Sequence, residues 1–394
     1  MSAAPPTVEL AALAPPAEMT TALRRWSGFV PVLPASLRPA GMPYLRLCPD
    51  AAGEWLRHDN PAVAIPPLGC AFLHDVTLHG SGYPFQDGRY IREPAHTSQA
   101  GLAWLEDPAF HDHPLTRQPR RTIRLEEPAL LIFGPGFGIY GHWLLDFLPR
   151  LAIARMTLGR RLDAFVLPLP DDAPAWVGRM LSEFAGIEAT RLRPYRRTEE
   201  QVFCPRLCLP SFAHHGDYAP HALMRQFYAA YRPDIPTGGE RRLCLSRHGL
   251  DGGGFSHPRI FEQRAAMEAI AAARGFEIVA PESLPFAEQV ALFRGARIVA
   301  GEYGSGMHNT IFSAPGTVVG MVGWWSHIQT HLLAACGQSG LFMSRITEQQ
   351  GHDGSPYRFS AAVDDLEALF DRVEAAAEAP TPGDPGLAAE AAWG

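Results

Sequence analysis

The sequence predicts an α/β protein of two domains, the second of which contains a parallel, doubly wound sheet. The chain of 394 residues is too long for one typical hydrophobic core, so two domains of roughly 150–200 residues are expected. After residue 240, short β-branched apolar runs alternate with helical segments of about ten to fifteen residues, which is typical of β–α–β units. Residues 232–239, Arg-Pro-Asp-Ile-Pro-Thr-Gly-Gly, form the best linker. We therefore place an N-terminal domain at residues 1–235, a C-terminal domain at 236–378 and a disordered tail at 379–394.

The N-terminal domain begins with residues 1–25, which are rich in Ala and Pro and predict a loose leader. Residues 26–130 contain short apolar runs broken by Gly, Pro and His, which favours an irregular arrangement of strands and loops. Beyond them we predict strands at 130–133, 163–169 and 207–210, and helices at 139–154, 174–184 and 220–231. Pro149 lies inside the first of these helices and is expected to kink or end it.

The C-terminal domain has a more regular pattern. Strands are predicted at 242–247, 276–280, 297–300, 317–322 and 341–345, and helices at 258–273, 285–295, 328–336 and 363–377. Right-handed crossovers place the loops that follow the strands along one edge of a parallel sheet. Arg247, the loop 248–257, Glu282 and the turn at 304–306 should therefore face one crevice.

The turn that follows the strand at 297–300 reads Gly-Glu-Tyr-Gly-Ser-Gly, residues 301–306. Gly301, Gly304 and Gly306 allow the backbone to turn tightly and to approach a ligand where a Cβ would collide. A helix that begins at Ser305 or Gly306 would direct its free N–H groups into this turn, which favours an anion. The alternative is an ordinary β–α connection in which the glycines serve only packing.

The predicted helix at 139–154 carries a polar face on an otherwise apolar segment. His142 and Asp146 are four residues apart, and Arg150 extends the same face by another turn. Burying these groups without partners would be costly, so they either face a cleft or form an internal network. A purely structural His–Asp pair is the alternative.

Composition argues against several functional classes. The net charge of −7 gives no basic field for nucleic acid. The six cysteines lack a paired C-x-x-C pattern, and His111-x-His113 and His214-His215 have no acidic residues at ligand spacing, so we expect no metal. The N-terminus lacks the features of a secretory signal, and no apolar run is long enough to span a membrane. We expect a cytoplasmic protein with reduced thiols.

Five segments match motifs that occur together in one enzyme family. Residues 140–150, Tyr-Gly-His-Trp-Leu-Leu-Asp-Phe-Leu-Pro-Arg, match "HW…D/E…LPRL", and residues 245–247 followed by Arg259 match "SRR…R". Residues 281–289 match "PE-x-L-x-F-x-EQ", 301–312 match "G-x-H-G-A-G-L-x-N-x-x-F", and 315–317 match "P-P-G-T". In this order, over about residues 130–325, they resemble the family 61 glycosyltransferases, a group that includes bacterial capsular polysaccharide biosynthesis proteins.

The resemblance implies a GT-B-like architecture, with two Rossmann-like domains, a cleft between them and the donor mainly in the C-terminal domain. It implies inverting, metal-independent transfer without a cofactor, from a nucleotide sugar, typically a UDP-sugar, to a glycan or lipid-linked glycan. The setting would be capsular or exopolysaccharide biosynthesis, in the cytoplasm or at the inner face of the cell membrane. Where the family has His, Ala and a second Arg, this chain has Tyr303, Ser305 and His248. These departures leave open an inactive member that only binds nucleotide or glycan.

Inverting transfer needs a base for the acceptor hydroxyl and positive groups for the leaving diphosphate. The base is Asp146 oriented by His142, or the reverse. Arg247 and Arg259 suit the diphosphate, since a guanidinium binds phosphate oxygens bidentately.

The remaining donor-site candidates surround the glycine turn. Asn309 can bond the phosphate or the sugar, and Glu282 or Glu302 can accept from ribose hydroxyls. Tyr303, Gly304, Ser305 and Gly306 complete the predicted donor site. A hydrolase is a distant alternative, because residues 304–306 lack the spacing of a G-x-S-x-G nucleophile elbow.

Overall fold

The computed structural model describes residues 6–48, 54–93, 121–215, 218–248, 259–349 and 357–379. They form two compact units: residues 1–38 with 63–227, and residues 39–62 with 228–394. The chain thus crosses between units at 227/228, a few residues before the predicted boundary. Residues 39–62, which were predicted to lie in the N-terminal domain, belong to the second unit. The loop at 249–257, the tail after 379 and His111-x-His113 lie outside the described residues.

The strands are β1 Thr7–Glu9, β2 Gly28–Leu33, β3 Ser36–Arg38, β4 Gly41–Leu47, β5 Trp55–Asn60, β6 Val63–Ile65, β7 Leu68–His79, β8 Tyr83–Gln86, β9 Arg89–Arg92, β10 Arg121–Arg124, β11 Ala129–Leu130, β12 Leu167–Pro170, β13 Leu192–Tyr195, β14 Glu200–Pro210, β15 His214–His215, β16 Ala219–Pro220, β17 Arg241–Leu245, β18 Arg259–Phe261, β19 Glu277–Val279, β20 Ala296–Glu302, β21 Val318–Val322, β22 Ser339–Met343, β23 Thr347–Gln349 and β24 Tyr357–Ser360. The α-helices are Leu10–Leu13, Met19–Arg25, Tyr140–His142, Leu148–Leu158, Ala175–Ala185, Ala222–Ala230, Arg264–Ala273, Phe286–Arg294, His327–Cys336 and Val363–Glu378. A π-helical segment, Trp143–Phe147, joins two of them into one helix at 140–158, and 3₁₀ segments span Gly159–Ala164, Ala189–Arg191, Pro281–Ser283 and Ser305–Phe312.

The first unit is built on a mixed sheet. Its strand order is β1-β9-β8-β7-β14-β10, with β2 also paired to β7 and β11 to β14. The long central strand β7 is antiparallel to β14, β2 and β8. The predicted Rossmann-like N-terminal domain therefore describes only part of this unit, because half of the sheet consists of antiparallel strands.

The other half of the first unit has parallel β–α–β connectivity. Strand β11 runs parallel to β14, its first residue forms a parallel bridge with Val166 just before β12, and β12 is parallel to β13. The helix at 140–158 joins β11 to β12, and helix Ala175–Ala185 joins β12 to β13. β11 lies between β12 and β14. The chain runs from β11 to β12 and β13 on one side, and then crosses to β14 on the other side of β11. This is a topological switch point, where ligands bind at the carboxyl ends of strands.

The second unit contains the predicted doubly wound sheet. Its order is β19-β17-β20-β21-β22-β4-β5, and all neighbours are parallel except the pair β4 and β5. Taken in chain order, the five C-terminal strands lie 2-1-3-4-5, so the switch point falls between β17 and β20. Helices Arg264–Ala273 and Val363–Glu378 contribute to the apolar core against the sheet, which includes Ile298, Val318 and Phe370. The predicted alternation of strands and helices is confirmed here.

Two local predictions were wrong. The described part of the predicted loose leader, residues 6–25, is ordered, with β1 paired to β9 and two short helices after it. The helix predicted at 258–273 begins at Arg264, because Arg259–Phe261 pairs with β24 as a strand.

Two other local predictions agree with the structure in part. The segment after the glycine turn begins at Ser305, as predicted, and is a 3₁₀ helix. The α-helical pattern is interrupted just before Pro149, where the N–H of Leu148 donates to the carbonyl of Trp143 in a wider π turn, and the helix then continues to Leu158.

All six cysteines are free thiols and five are buried, as predicted. In the described residues, no helix is long and apolar enough to cross a membrane.

Candidate active site

A buried carboxylate bridges two histidines in the first unit. Nδ1 of His142 lies 2.5 Å from Oδ2 of Asp146, and Nε2 of His214 lies 2.7 Å from Oδ1 of the same carboxylate. Asp146 is 4% exposed, so its oxygens are satisfied by the two imidazoles. The predicted pair is thus confirmed as a contact and extended by a third residue.

Topology explains why these side chains meet. His142 and Asp146 lie in the first turns of the helix that follows β11, and His214 lies four residues after the end of β14. Since β11 and β14 are parallel neighbours, both connections open at the same edge of the sheet. His214 is held there between two rings, at centroid distances of 4.6 Å from Tyr218 and 5.2 Å from Phe212.

The electrostatics of this cluster favour an ionised Asp146. Burial raises the pKa of Asp146, but the charges and hydrogen bonds of His142 and His214 outweigh it and hold that pKa well below its usual value. A carboxylate with a depressed pKa is a weak proton acceptor. The arrangement therefore suits Asp146 to orienting an imidazole, and it holds two, those of His142 and His214.

The helix backbone and a glycine fix the imidazole of His142. Asp146 sits in the π segment, a feature often found at functional sites. Gly136 has φ +87, and a Cβ there would approach Cδ2 of His142 to 2.6 Å and Nε2 to 3.0 Å. Only glycine fits at this position, so the loop before the helix closes directly over the ring.

Arg150, the third member of the polar face, is part of an internal network. Its Nη2 donates to Oε2 of Glu93 at 2.8 Å, and its Nε donates to the carbonyl of Pro210 at 2.8 Å. The guanidinium is 1% exposed and stacks over Phe212 at 4.2 Å. Arg150 therefore ties the helix to the end of β14 and packs on Phe212, whose other neighbour is the ring of His214.

In the second unit, two arginines converge on the glycine turn after β20. A Cβ on Gly304 would overlap Nη1 of Arg247 and lie 3.6 Å from Nη2 of Arg259. Arg247 follows β17 by two residues, so this cluster lies at the switch point between β17 and β20. The guanidinium of Arg259 also packs over Trp324 at 5.3 Å. Two positive charges beside the first residues of the 3₁₀ segment Ser305–Phe312 favour an anion at this position.

Glu302 lies beneath this cluster and not at its surface. Arg264 donates to both of its oxygens, at 2.5 and 3.2 Å, and the backbone N–H of Arg247 donates to it at 3.4 Å. Burial raises the pKa of Glu302, and the positive charge of Arg264 opposes this. This placement fits a role in holding Arg247 and does not favour the predicted contact with ribose. Glu282, by contrast, is exposed in the 3₁₀ turn after β19.

Other predicted donor-site residues divide between the surface and the interior. Ser305 and Gly306 are partly exposed at the start of the 3₁₀ segment. The hydroxyl of Tyr303 donates to Ser326 at 2.6 Å. Asn309 is fully buried and donates to Oε1 of Gln289 at 2.9 Å, so its placement supports the turn from within.

Several residues of both clusters were missed by reasoning from the sequence. His214 stood in a His-His pair that was considered only as a metal ligand. Arg264, Gly136 and Trp324 carry no local pattern that separates them from ordinary helix and loop residues. Within the described ranges, no group of three or more His, Cys, Asp and Glu side chains is arranged to hold a metal ion.

One comparison with known proteins gave a match. A search among curated proteins gave no match. Residues 140–320 match the model of a family described as Glycosyltransferase 61. The matched segment begins at the first residue of the helix that carries His142 and ends in β21, so it contains both clusters. The match supports a glycosyltransferase, a transferase of family 61.

Proposed function

We propose that this protein is an inverting, metal-independent glycosyltransferase that moves a sugar from a UDP-sugar to a glycan acceptor. The observation that carries the proposal is the convergence of Arg247 and Arg259 on Gly304 at the switch point of a doubly wound sheet. A nucleoside diphosphate is the chemistry that such a site recognises. The choice of uridine, and a role in capsular or exopolysaccharide assembly in the cytoplasm or at the inner membrane face, follow from the sequence resemblance.

In the proposed reaction, Nε2 of His142 takes the proton of the acceptor hydroxyl, while Asp146 holds Nδ1 and stabilises the imidazolium. The acceptor oxygen attacks the anomeric carbon from the face opposite the diphosphate. The bond from that carbon to the diphosphate oxygen breaks, and the electron pair leaves with UDP, so the configuration inverts. Arg247 and Arg259 stabilise the charge that develops on the leaving group.

The proposal also assigns protein groups to the diphosphate and the ribose of the donor. The two guanidiniums supply the positive charge that a divalent cation supplies in other transferases, which supports metal-independent transfer. We assign the ribose hydroxyls to Glu282, because it is exposed and lies just after the carboxyl end of β19. The proposal includes a GT-B architecture, in which the second unit binds the donor and the first unit provides the base.

An inactive, ligand-binding member was the alternative, motivated by Tyr303 and His248. Tyr303 bonds to Ser326, and His248 is exposed and accepts or donates at Ser246. Neither side chain displaces Arg247, Arg259 or the His–Asp–His cluster. We therefore favour an active enzyme.

The first experiment measures UDP and uridine binding by calorimetry. Arg247→Ala and Arg259→Ala should each weaken UDP binding by about 1.5–3 kcal/mol, the scale of a charge-assisted hydrogen bond, and leave uridine binding nearly unchanged. Arg241→Ala is the matched control, because Arg241 lies at the opposite end of the same strand, β17. Equal losses of affinity for UDP and uridine in folded variants would show that the arginines do not bind the phosphates.

The second experiment tests the base. His142→Ala should lower the rate of UDP release from UDP-sugars by roughly 10²–10⁴ while UDP affinity is retained. Added imidazole should restore part of the rate in His142→Ala but not in Asp146→Asn, which still contains its own imidazole. If His142→Ala is folded, binds UDP and reacts at a near wild-type rate, His142 is not the base. A purely structural pair predicts a lower Tm, with activity lost only in proportion to folded protein.

A further inference from the structure

An apolar surface lies at the start of the helix that carries His142. Ile139 is 39% exposed, and Tyr140 and Trp176 are half-buried. The rings of Tyr140 and Trp176 meet edge to face with centroids 5.8 Å apart. These side chains have no role in the reaction proposed above. They lie at the starts of two helices that begin at the same sheet edge.

The topology places this surface beside the candidate base. Tyr140 begins the helix that follows β11, and Trp176 is the second residue of the helix that follows β12. Since β11 and β12 run in the same direction, the loops after them open at one edge, which is also the edge of His142 and His214. Tyr140 and His142 are two residues apart, so they project from opposite sides of the helix end.

A polar pair lies in the loops that open at the same sheet edge. Asp172 follows β12 by two residues, and Arg197 follows β13 by two. Nε of Arg197 donates to both carboxylate oxygens of Asp172, at 3.0 and 2.7 Å, and their side chains are 23% and 47% exposed respectively. The guanidinium also lies over Phe137, at 5.5 Å from the ring centroid. Hydrogen-bond donors and acceptors thus lie at the sheet edge that also carries the partly exposed rings of Tyr140 and Trp176.

We propose that Tyr140, Asp172, Trp176 and Arg197 form an acceptor subsite that binds the second sugar ring of an oligosaccharide. A pyranose has an apolar face of C–H groups, which packs on aromatic rings, and a rim of hydroxyls that both donate and accept hydrogen bonds. Aromatic carbon beside a carboxylate–guanidinium pair matches both features. The ring that carries the reacting hydroxyl lies at His142, and the next ring reaches Tyr140 on the other side of the helix end. The inference rests on the proposed function, because it assigns the acceptor of the same transfer.

The test is saturation-transfer NMR on the full chain without donor. The probes are cellobiose, lactose, N,N′-diacetylchitobiose and methyl glucoside, the last as a single ring. Wild type should transfer saturation to at least one disaccharide more strongly than to methyl glucoside, and Trp176→Leu should weaken that binding by about 3- to 10-fold. Trp176→Phe, which keeps an aromatic face, should retain most of it.

Trp26→Leu is the matched control, since Trp26 is a half-buried tryptophan of the same unit whose ring lies 5.9 Å from that of Phe165, which precedes β12. It should bind the disaccharides as wild type does, and all variants should keep the wild-type affinity for UDP. Absence of saturation transfer to every disaccharide, or equal binding by Trp176→Leu and wild type, overturns the subsite. Failure of the proposed function would be seen in other measurements, as absence of UDP binding and of UDP release from UDP-sugars. The NMR experiment contains no donor, so it tests the acceptor subsite independently of those measurements.

Discussion

Replacing Gly304 by Ala should displace Arg247 and weaken UDP binding without unfolding the protein. Gly304 has φ 172, an extended backbone that alanine adopts without strain. The added Cβ would overlap Nη1 of Arg247, which is the end of a long, flexible side chain. We therefore expect the guanidinium to move and the backbone to stay in place.

The magnitude follows from the contact that is lost. A hydrogen bond from Arg247 to phosphate contributes about 1.5–3 kcal/mol, which corresponds to about 10- to 150-fold in Kd. Gly304→Ala can lose up to this amount, and in an Arg247→Ala background it should lose nothing further, since the displaced group is gone. The fold itself should be unchanged or slightly stabilised, because alanine reduces the entropy of the unfolded chain by about 0.4–1 kcal/mol.

Calorimetry with UDP on wild type, both single variants and the double variant measures this coupling, with Tm taken on the same samples. Gly178→Ala is the control for a glycine replacement in general, because a Cβ there meets nothing within 4 Å and lies in the other unit. Wild-type UDP affinity in Gly304→Ala would refute the reasoning. Strictly additive losses in the double variant would also refute it, since they would mean that Gly304 acts independently of Arg247.

Three further predictions concern the groups that support the two clusters. The folded-state pKa of Asp146 lies below its unfolded value of about 4, so the ionised carboxylate stabilises the fold above that pH and the effect is lost as pH falls through the folded pKa. The Tm difference between wild type and Asp146→Asn should therefore shrink as pH is lowered below about 4, and a constant difference would contradict the ionised pair. Glu302→Ala should lower the free energy of unfolding in urea by about 3–5 kcal/mol, because the buried guanidinium of Arg264 loses the carboxylate that balances its charge, whereas a residue that only contacts ribose would leave it unchanged. Trp324→Leu should weaken UDP binding by about 2- to 5-fold through the lost cation–π support of Arg259, less than Arg259→Ala, and no loss in calorimetry would speak against that support.

The sequence was most informative about elements whose burial is visible in their own residues. In the second unit, β20 and β21 are buried on both faces and read as continuous apolar runs, so their positions were predicted to within a residue or two. Strand β4 could not be assigned in this way, because its place is set by pairing with β22, almost 300 residues later in the chain. Such long-range pairing leaves no local pattern, which is why residues 39–62 were predicted in the wrong unit.

The same distinction between local pattern and long-range pairing holds for the residues of the candidate sites. His142 and Asp146 were found together because four residues on a helix return to the same face. His214 is 68 residues away from Asp146 and meets it only through the pairing of β11 with β14. The interior positions of Glu302 and Asn309 depend on which side of a strand end and a 3₁₀ turn faces the protein, and a motif does not encode that side.

One topological rule accounts for the position of both clusters. In the first unit, the His–Asp–His cluster lies where β11 is flanked by β12 and β14, and in the second the arginines lie where β17 is flanked by β19 and β20. The two edges carry opposite chemistry. Imidazoles around an ionised carboxylate suit proton exchange, whereas guanidiniums beside a helix start suit a diphosphate. A transfer that needs a proton acceptor for one substrate and positive charge for the other requires both, and the family-matched segment 140–320 contains both.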